Sequence, residues 1–158
     1  MKAYTDTSFL CALYRTQYNS PQAMAFRTRM IERLHVTRLL LWEFRQSARF
    51  QAFRHSHNRQ AGYPFHETEK MIADLHDDIT SGLVATLEVD LIDILLTAER
   101  ISKSRTFSGG HRSFDILHVA TALELGAKEF LSFDENQIAL ARAEGLATPL
   151  AVTTPSPE

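Results

Sequence analysis

Four acidic residues stand where strand-like runs meet helix-like ones: Asp6 in TDTSFL, Glu43 in LLLWEFRQ, Asp115 in SFDILHVATAL and Asp134 in FLSFDENQ. Asp6 and Asp134 directly follow apolar strand patterns, and in open α/β sheets ligands bind at the carboxyl ends of the strands. Carboxylates gathered at one sheet edge repel one another unless a cation neutralises them, and hard oxygen donors select Mg²⁺ or Mn²⁺ over the metals of softer sites. A pocket of that kind can hold a phosphodiester oxygen, polarise phosphorus and activate a water for in-line attack.

Each acid also has a plain structural use. Asp6 can cap a first helix, and Asp134 with Gln137 three residues on matches an acidic capping box. Asp115 falls in the first turn of its helix, at the positive end of the macrodipole, and Glu43 lies near a helix start. The case for chemistry rests on the set rather than on any one member.

Competing chemistries lack their motifs. No G-x-S-x-G turn presents a nucleophilic serine. Gly109-Gly110 lacks the Lys-Ser or Lys-Thr of a phosphate loop, and the 7 histidines form no HExxH frame. His118, one turn after Asp115, reads as a packed core histidine, because imidazole suits zinc better than magnesium.

With 17 Lys plus Arg against 19 Asp plus Glu, the formal charge is -2, so any polyanion must be held locally. Arg45 and Arg49 lie four apart on the helix that carries Glu43, with Arg54 and Arg59 beyond, and guanidinium suits bidentate phosphate contact. Arg112, in the glycine-bearing loop SGGHRS, is a further candidate phosphate contact. Trp42, Phe44, Phe50 and Phe53 are read as core or dimer packing rather than as a base-stacking platform, since a helix with such bulk normally buries it.

The 158 residues, 44% of them hydrophobic, suffice for one sizeable core and predict a single domain over 1–152 with a loose tail over 153–158. Cys11 is the one cysteine. It suits a reduced, cytoplasmic setting, and no signal segment or membrane-spanning run is seen. Capping residues, glycine stops and apolar spacing predict helices near 9–14, 22–33, 40–57, 65–80, 114–125 and 135–144, with another opening after Asp90. Strands are expected at 3–5, 35–38, 83–89, 129–133 and 150–152. Alternating strands and helices imply an α/β fold with a parallel sheet.

The segments DTSFLCALY, WEFRQSAR, RSFDILHVATALELGA and FLSFDENQIALARAEGL resemble the PIN-domain ribonucleases, most of all the VapC-type toxins of toxin-antitoxin pairs. The resemblance implies a three-layer fold around a central parallel five-stranded sheet flanked by helices. It implies Mg²⁺- or Mn²⁺-dependent endonucleolytic cleavage of RNA, leaving a 5′-phosphate and a 3′-hydroxyl. Asp6, Glu43, Asp115 and Asp134 match the family's acidic metal positions, and Thr7 or Ser8 its hydroxyl beside the first acid. A homodimer is implied, with a small antitoxin whose C-terminal segment lies across the acidic groove. The residues alone leave open a phosphatase or DNA-directed nuclease on the same fold, or a non-catalytic interaction protein.

Overall fold

A computed structural model describes residues 1–150; the predicted tail and the end of the predicted last strand lie outside the described residues. The chain forms two compact units, one running from Thr5 to Asp90, the other joining Met1–Tyr4 to the stretch from Leu91 onward. The strand β1 (Ala3–Thr5) runs up to their boundary.

In the Thr5–Asp90 unit, α1 (Thr7–Tyr14) follows β1 after a single residue, Asp6, whose carboxylate accepts from the Phe9 N–H. Next come α2 (Ser20–Arg29), β2 (Leu34–Thr37), α3 (Arg38–His57), α4 (Phe65–Thr80) and β3 (Val84–Leu87). Strands β2 and β3 pair in parallel, Leu34 opposite Val84 and Thr37 opposite Leu87. Thr37 ends β2 and caps α3, its hydroxyl accepting from the Leu40 N–H at 3.3 Å, so strand and helix abut without a loop. Leu40, Phe44 and Ala48, one helical turn apart, are the buried face of α3. Fully burying a ring such as Phe44 contributes about 1.5–3 kcal/mol. The Thr68 hydroxyl donates to the Ala48 carbonyl at 3.1 Å and fastens α4 to that face.

The other unit contains α5 (Leu91–Gly109), α6 (Ser113–Glu124), β4 (Glu129–Leu131) and α7 (Glu135–Ala143). Strand β4 pairs with β1, and the Tyr4 ring stacks on Phe130 at 5.7 Å. Helix α6 buries Ile116, His118, Val119, Ala120, Thr121 and Ala122. Its bulkier Phe114, Leu117, Leu123 and Leu125 are only half-buried, which differs from the burial all round that its composition suggests. His118 is fully buried, with Nδ1 2.8 Å from the Tyr4 hydroxyl, as a packed core histidine should be.

The architecture is α/β with parallel strands, as expected. The single five-stranded sheet is not seen among the described residues, which hold two strand pairs, β1–β4 and β2–β3. Near the predicted last strand there is instead a lone parallel bridge from Ala147 to Glu129, while Leu150 lies in a turn.

Gly62, between α3 and α4, has φ +64, and a Cβ there would lie 2.1 Å from the Gln51 carbonyl oxygen of α3. Gly126 also has positive φ, +65, but open space around it. Gly126→Ala should therefore cost about 1 kcal/mol from the left-handed backbone alone. Gly62→Ala should cost at least about twice that, because α3 itself must shift. Thermal unfolding of the two variants checks the order; equal losses would show that the close approach to α3 is unimportant.

Candidate functional site

Asp6 is held at the junction of β1 and α1 because its side chain does the capping. It is fully buried, with Oδ1 accepting from the Phe9 N–H at 3.0 Å and from the Ser8 hydroxyl at 2.7 Å. The same hydroxyl lies 3.0 Å from Oδ2, so Ser8 fixes the rotation of the carboxylate. Its neighbour Thr7 donates its hydroxyl to Glu43 Oε2 on α3. Two successive residues, Thr7 and Ser8, thus hold two acids from different elements in one neighbourhood.

Cys11, one turn along α1, registers the charge there. Burial pushes its thiol from 9.0 up to about 12, and the negative charges of Asp6 and Glu43 push the same way while Arg15 opposes them. A buried carboxylate beside a second one is costly unless a cation or proton joins them. Arg15 itself is engaged with Glu67, at 2.7 Å.

In the other unit, Asp115 and Asp134 both prove to be caps. Asp115 Oδ2 accepts from the Arg112 N–H at 3.0 Å, reaching back across the start of α6. Asp134 Oδ1 accepts from the N–H groups of Asn136 and Gln137 at 2.8 and 3.1 Å. Each cap uses one oxygen and leaves the second, Asp115 Oδ1 and Asp134 Oδ2, without a hydrogen bond among the described residues. Capping and ligation are therefore compatible at both positions. Asp115 is half-buried and Asp134 exposed. Arg112 is exposed at the head of α6.

Arg45 is half-buried and Arg49 exposed on α3, and neither has an ion-pair partner among the described residues. Of the α3 aromatics expected in the core or in a dimer contact, Phe44 alone is in the core of this chain. Trp42, Phe50 and Phe53 are 54%, 52% and 56% exposed. The spacing carried the signal: Leu40, Phe44 and Ala48 already occupy the core stripe, and residues 42 and 53 fall opposite it at 100° per residue.

The donors at Asp6, Glu43, Thr7 and Ser8 are hard oxygens, the chemistry that Mg²⁺ and Mn²⁺ take. Among the described residues no three His, Cys, Asp or Glu side chains are arranged to hold a metal ion. The fit lies in the donor chemistry and in the local negative charge, and not in a preformed cage.

Comparison with solved structures finds the same fold in three bacterial chains. VapC20 of Mycobacterium tuberculosis, described as a sarcin-ricin loop cleaving toxin, superposes with a TM-score of 0.62 at 16% identity, over 87% of this chain and 94% of the other. VapBC-1 of nontypeable Haemophilus influenzae gives 0.60 at 16% identity, over 94% and 96%. FitAcB of Neisseria gonorrhoeae gives 0.57 at 14% identity, over 92% and 95%. No curated protein matches the sequence significantly.

The thiol allows a check of the local field. The folded state keeps a proton that the unfolded Cys11 gives up above about pH 9, so stability should fall as pH rises from 9 toward 12, by about 1.4 kcal/mol per pH unit at most from this group. Asp6→Asn should bring thiolate absorbance in the folded protein to lower pH. A thiol that titrates near 9 in the folded wild type would contradict the burial and charge just described.

The PIN-domain model matches residues 3–143, from β1 through the last residue of α7 and across all four acidic positions, and the chain belongs to the PIN-domain family.

Proposed function

We propose that this protein is a Mg²⁺- or Mn²⁺-dependent endoribonuclease, the toxin of a type II toxin-antitoxin pair acting in the cytoplasm. The observation that carries the reading is the fully buried Asp6, clamped by Ser8 beside the Thr7-bound Glu43 at the head of a PIN-domain chain. A buried carboxylate held beside a half-buried second one is of use to a protein that must bind a cation. Structural caps are usually placed where water already solvates them.

In this reading Asp6, Glu43 and Asp115 hold the principal ion, and Asp134 supports it or helps a second. A divalent ion so held supplies Lewis acidity toward the phosphodiester and lowers the pKa of a water. The chain's own groups do the rest. Ser8 keeps Asp6 in one rotamer, and Thr7 keeps Glu43 turned toward α1. Arg45, Arg49 and Arg112 take the substrate phosphates, and the unbonded oxygens of Asp115 and Asp134 remain for ligation. Hydrolysis leaves a 5′-phosphate and a 3′-hydroxyl. RNA as the substrate is supported by the neighbour VapC20, a toxin described as cleaving the sarcin-ricin loop.

A small antitoxin partner is supported by the neighbour VapBC-1 and belongs to the same proposal. So does a homodimer. The surface that suits a second copy is the start of α5, where Leu91, Ile92, Leu95 and Leu96 are 51–69% exposed with no basic residue among them. No helix among the described residues is long and apolar enough to cross a membrane.

Purified protein should cleave single-stranded RNA with Mg²⁺ or Mn²⁺ and stop in EDTA. Asp6→Asn or Asp115→Asn should lower the rate by about 100-fold or more. Cleavage that survives EDTA, or both substitutions, would sink the proposal. Expression alone should arrest bacterial growth, and co-expression of a small protein encoded beside it should restore growth; vigorous growth with abundant soluble protein would remove the toxin role and leave the nuclease. Ile92→Asp with Leu96→Asp should convert a dimer to monomer in light scattering, and a dimer unchanged by both would move the interface elsewhere.

A further inference from the structure

The exposed face of α3 combines features that neither the core nor an apolar interface explains. Trp42, Arg49 and Phe53 fall within roughly 40° of one another around the helix, with Arg45 on one flank and Phe50 and His57 on the other. The rings form a short ladder: Phe50 and Phe53 lie nearly parallel, 18° between planes with centroids 6.1 Å apart, and Phe53 meets His57 at 4.3 Å. Between residues 38 and 57 the sequence has four arginines and a single acid, Glu43, within a chain whose formal charge is -2. Arg38 is paired with Glu88, but Arg45, Arg49 and Arg54 have no carboxylate partner among the described residues.

An interface between copies would bring this strongly positive helix against itself, whereas the start of α5, apolar apart from Asp93, suits that role better. Exposed aromatics interleaved with unpaired arginines match a different partner, a single nucleic-acid strand. Its bases offer π-faces to Trp42 and the phenylalanines, and its phosphates take the guanidinium groups. From Trp42 to His57 the face runs about 22 Å, room for about three or four nucleotides in an extended strand. It begins beside Glu43, the acid of the proposed site that α3 itself carries.

We propose that the Trp42–His57 face of α3 is a stacking platform for unpaired nucleotides of the RNA substrate, with Arg45 and Arg49 on the backbone and Glu43 at the end nearest the cut. This rests on the ribonuclease reading and goes beyond it by naming the surface and the residues that select unpaired nucleotides. Duplex RNA, whose bases are already stacked on each other, has no faces to give these rings.

The test uses the full chain in EDTA, where nothing is cleaved, and Trp42, the one tryptophan, as the reporter. A 12-nucleotide single-stranded RNA should quench its fluorescence, whereas a duplex of the same length and inorganic polyphosphate should not. Phe53→Ala should weaken anisotropy-measured binding of labelled RNA about 5- to 150-fold. Arg45→Ala with Arg49→Ala should weaken it and lower the slope of log affinity against log salt by about 1.4. These side chains are exposed or half-buried, and unchanged circular dichroism confirms that the variants fold. Saturating RNA that leaves Trp42 fluorescence and the Phe53→Ala affinity unchanged overturns the platform. So does Trp42 emission that follows protein concentration rather than RNA, which marks a contact between copies. If the platform fails while metal-dependent cleavage persists, the nuclease reading stands; if the oligonucleotide binds as described but no RNA is cut, the catalytic reading is the one that falls.

Discussion

A carboxylate excluded from water at the end of a strand is the constraint around which the rest of this chain is arranged. Asp6 has no exposure, and three groups converge to hold it in place: the Phe9 N–H, the Ser8 hydroxyl and the positive end of α1. The same stretch brings Glu43 in through Thr7, so that two like charges share one neighbourhood. The effect is felt by Cys11, whose thiol is driven up by burial and then by both acids. A fold selected only for stability would have little reason to keep this arrangement, and sites that work by charge commonly trade stability for function.

The helix that supplies Glu43 shows how one element serves two purposes. Its Leu40, Phe44 and Ala48 stripe is committed to the core and locked by Thr68 of α4 and by the close approach of Gly62. The opposite face then remains exposed, and what stands there is aromatic and basic. The start of α5 is also exposed but is apolar apart from the single acid Asp93, with no basic residue. Charge separates the two faces into different partner classes: a polyanion for one, a second polypeptide for the other.

Much of this was legible in the sequence where local chemistry decides structure. Asp6 and Asp134 mark helix starts because a short acid can satisfy the orphan N–H groups, and both caps form. Helix α4 runs over 65–80 as its flanking Pro64 and Gly82 suggest. Helix α3 begins at Arg38, two residues early, because Thr37 caps it from the end of β2, a hydroxyl that reads equally well as strand. Trp42, Phe50 and Phe53, expected in the core or in a dimer contact, are not in the core of this chain, and the reason is physical: hydrophobicity says that a residue can be buried, while the face it occupies is settled by which stripe the neighbouring helices cover. The expected fifth strand, over 150–152, lies mostly outside the described residues, which show near it a parallel bridge at Ala147. Metal coordination could be read only as donor chemistry, because ligation depends on distances that spacing along the chain does not fix.

In the proposed site Asp6 and Asp115, distant in sequence, serve one divalent ion. Calorimetric titration of Mn²⁺ into the wild type, Asp6→Asn and Asp115→Asn tests it without reference to activity. Binding to the wild type should be saturable and should weaken by at least about tenfold in each variant, about 1.4 kcal/mol. Wild-type affinity in Asp115→Asn would contradict it, leaving Asp115 as the cap of α6 and nothing more.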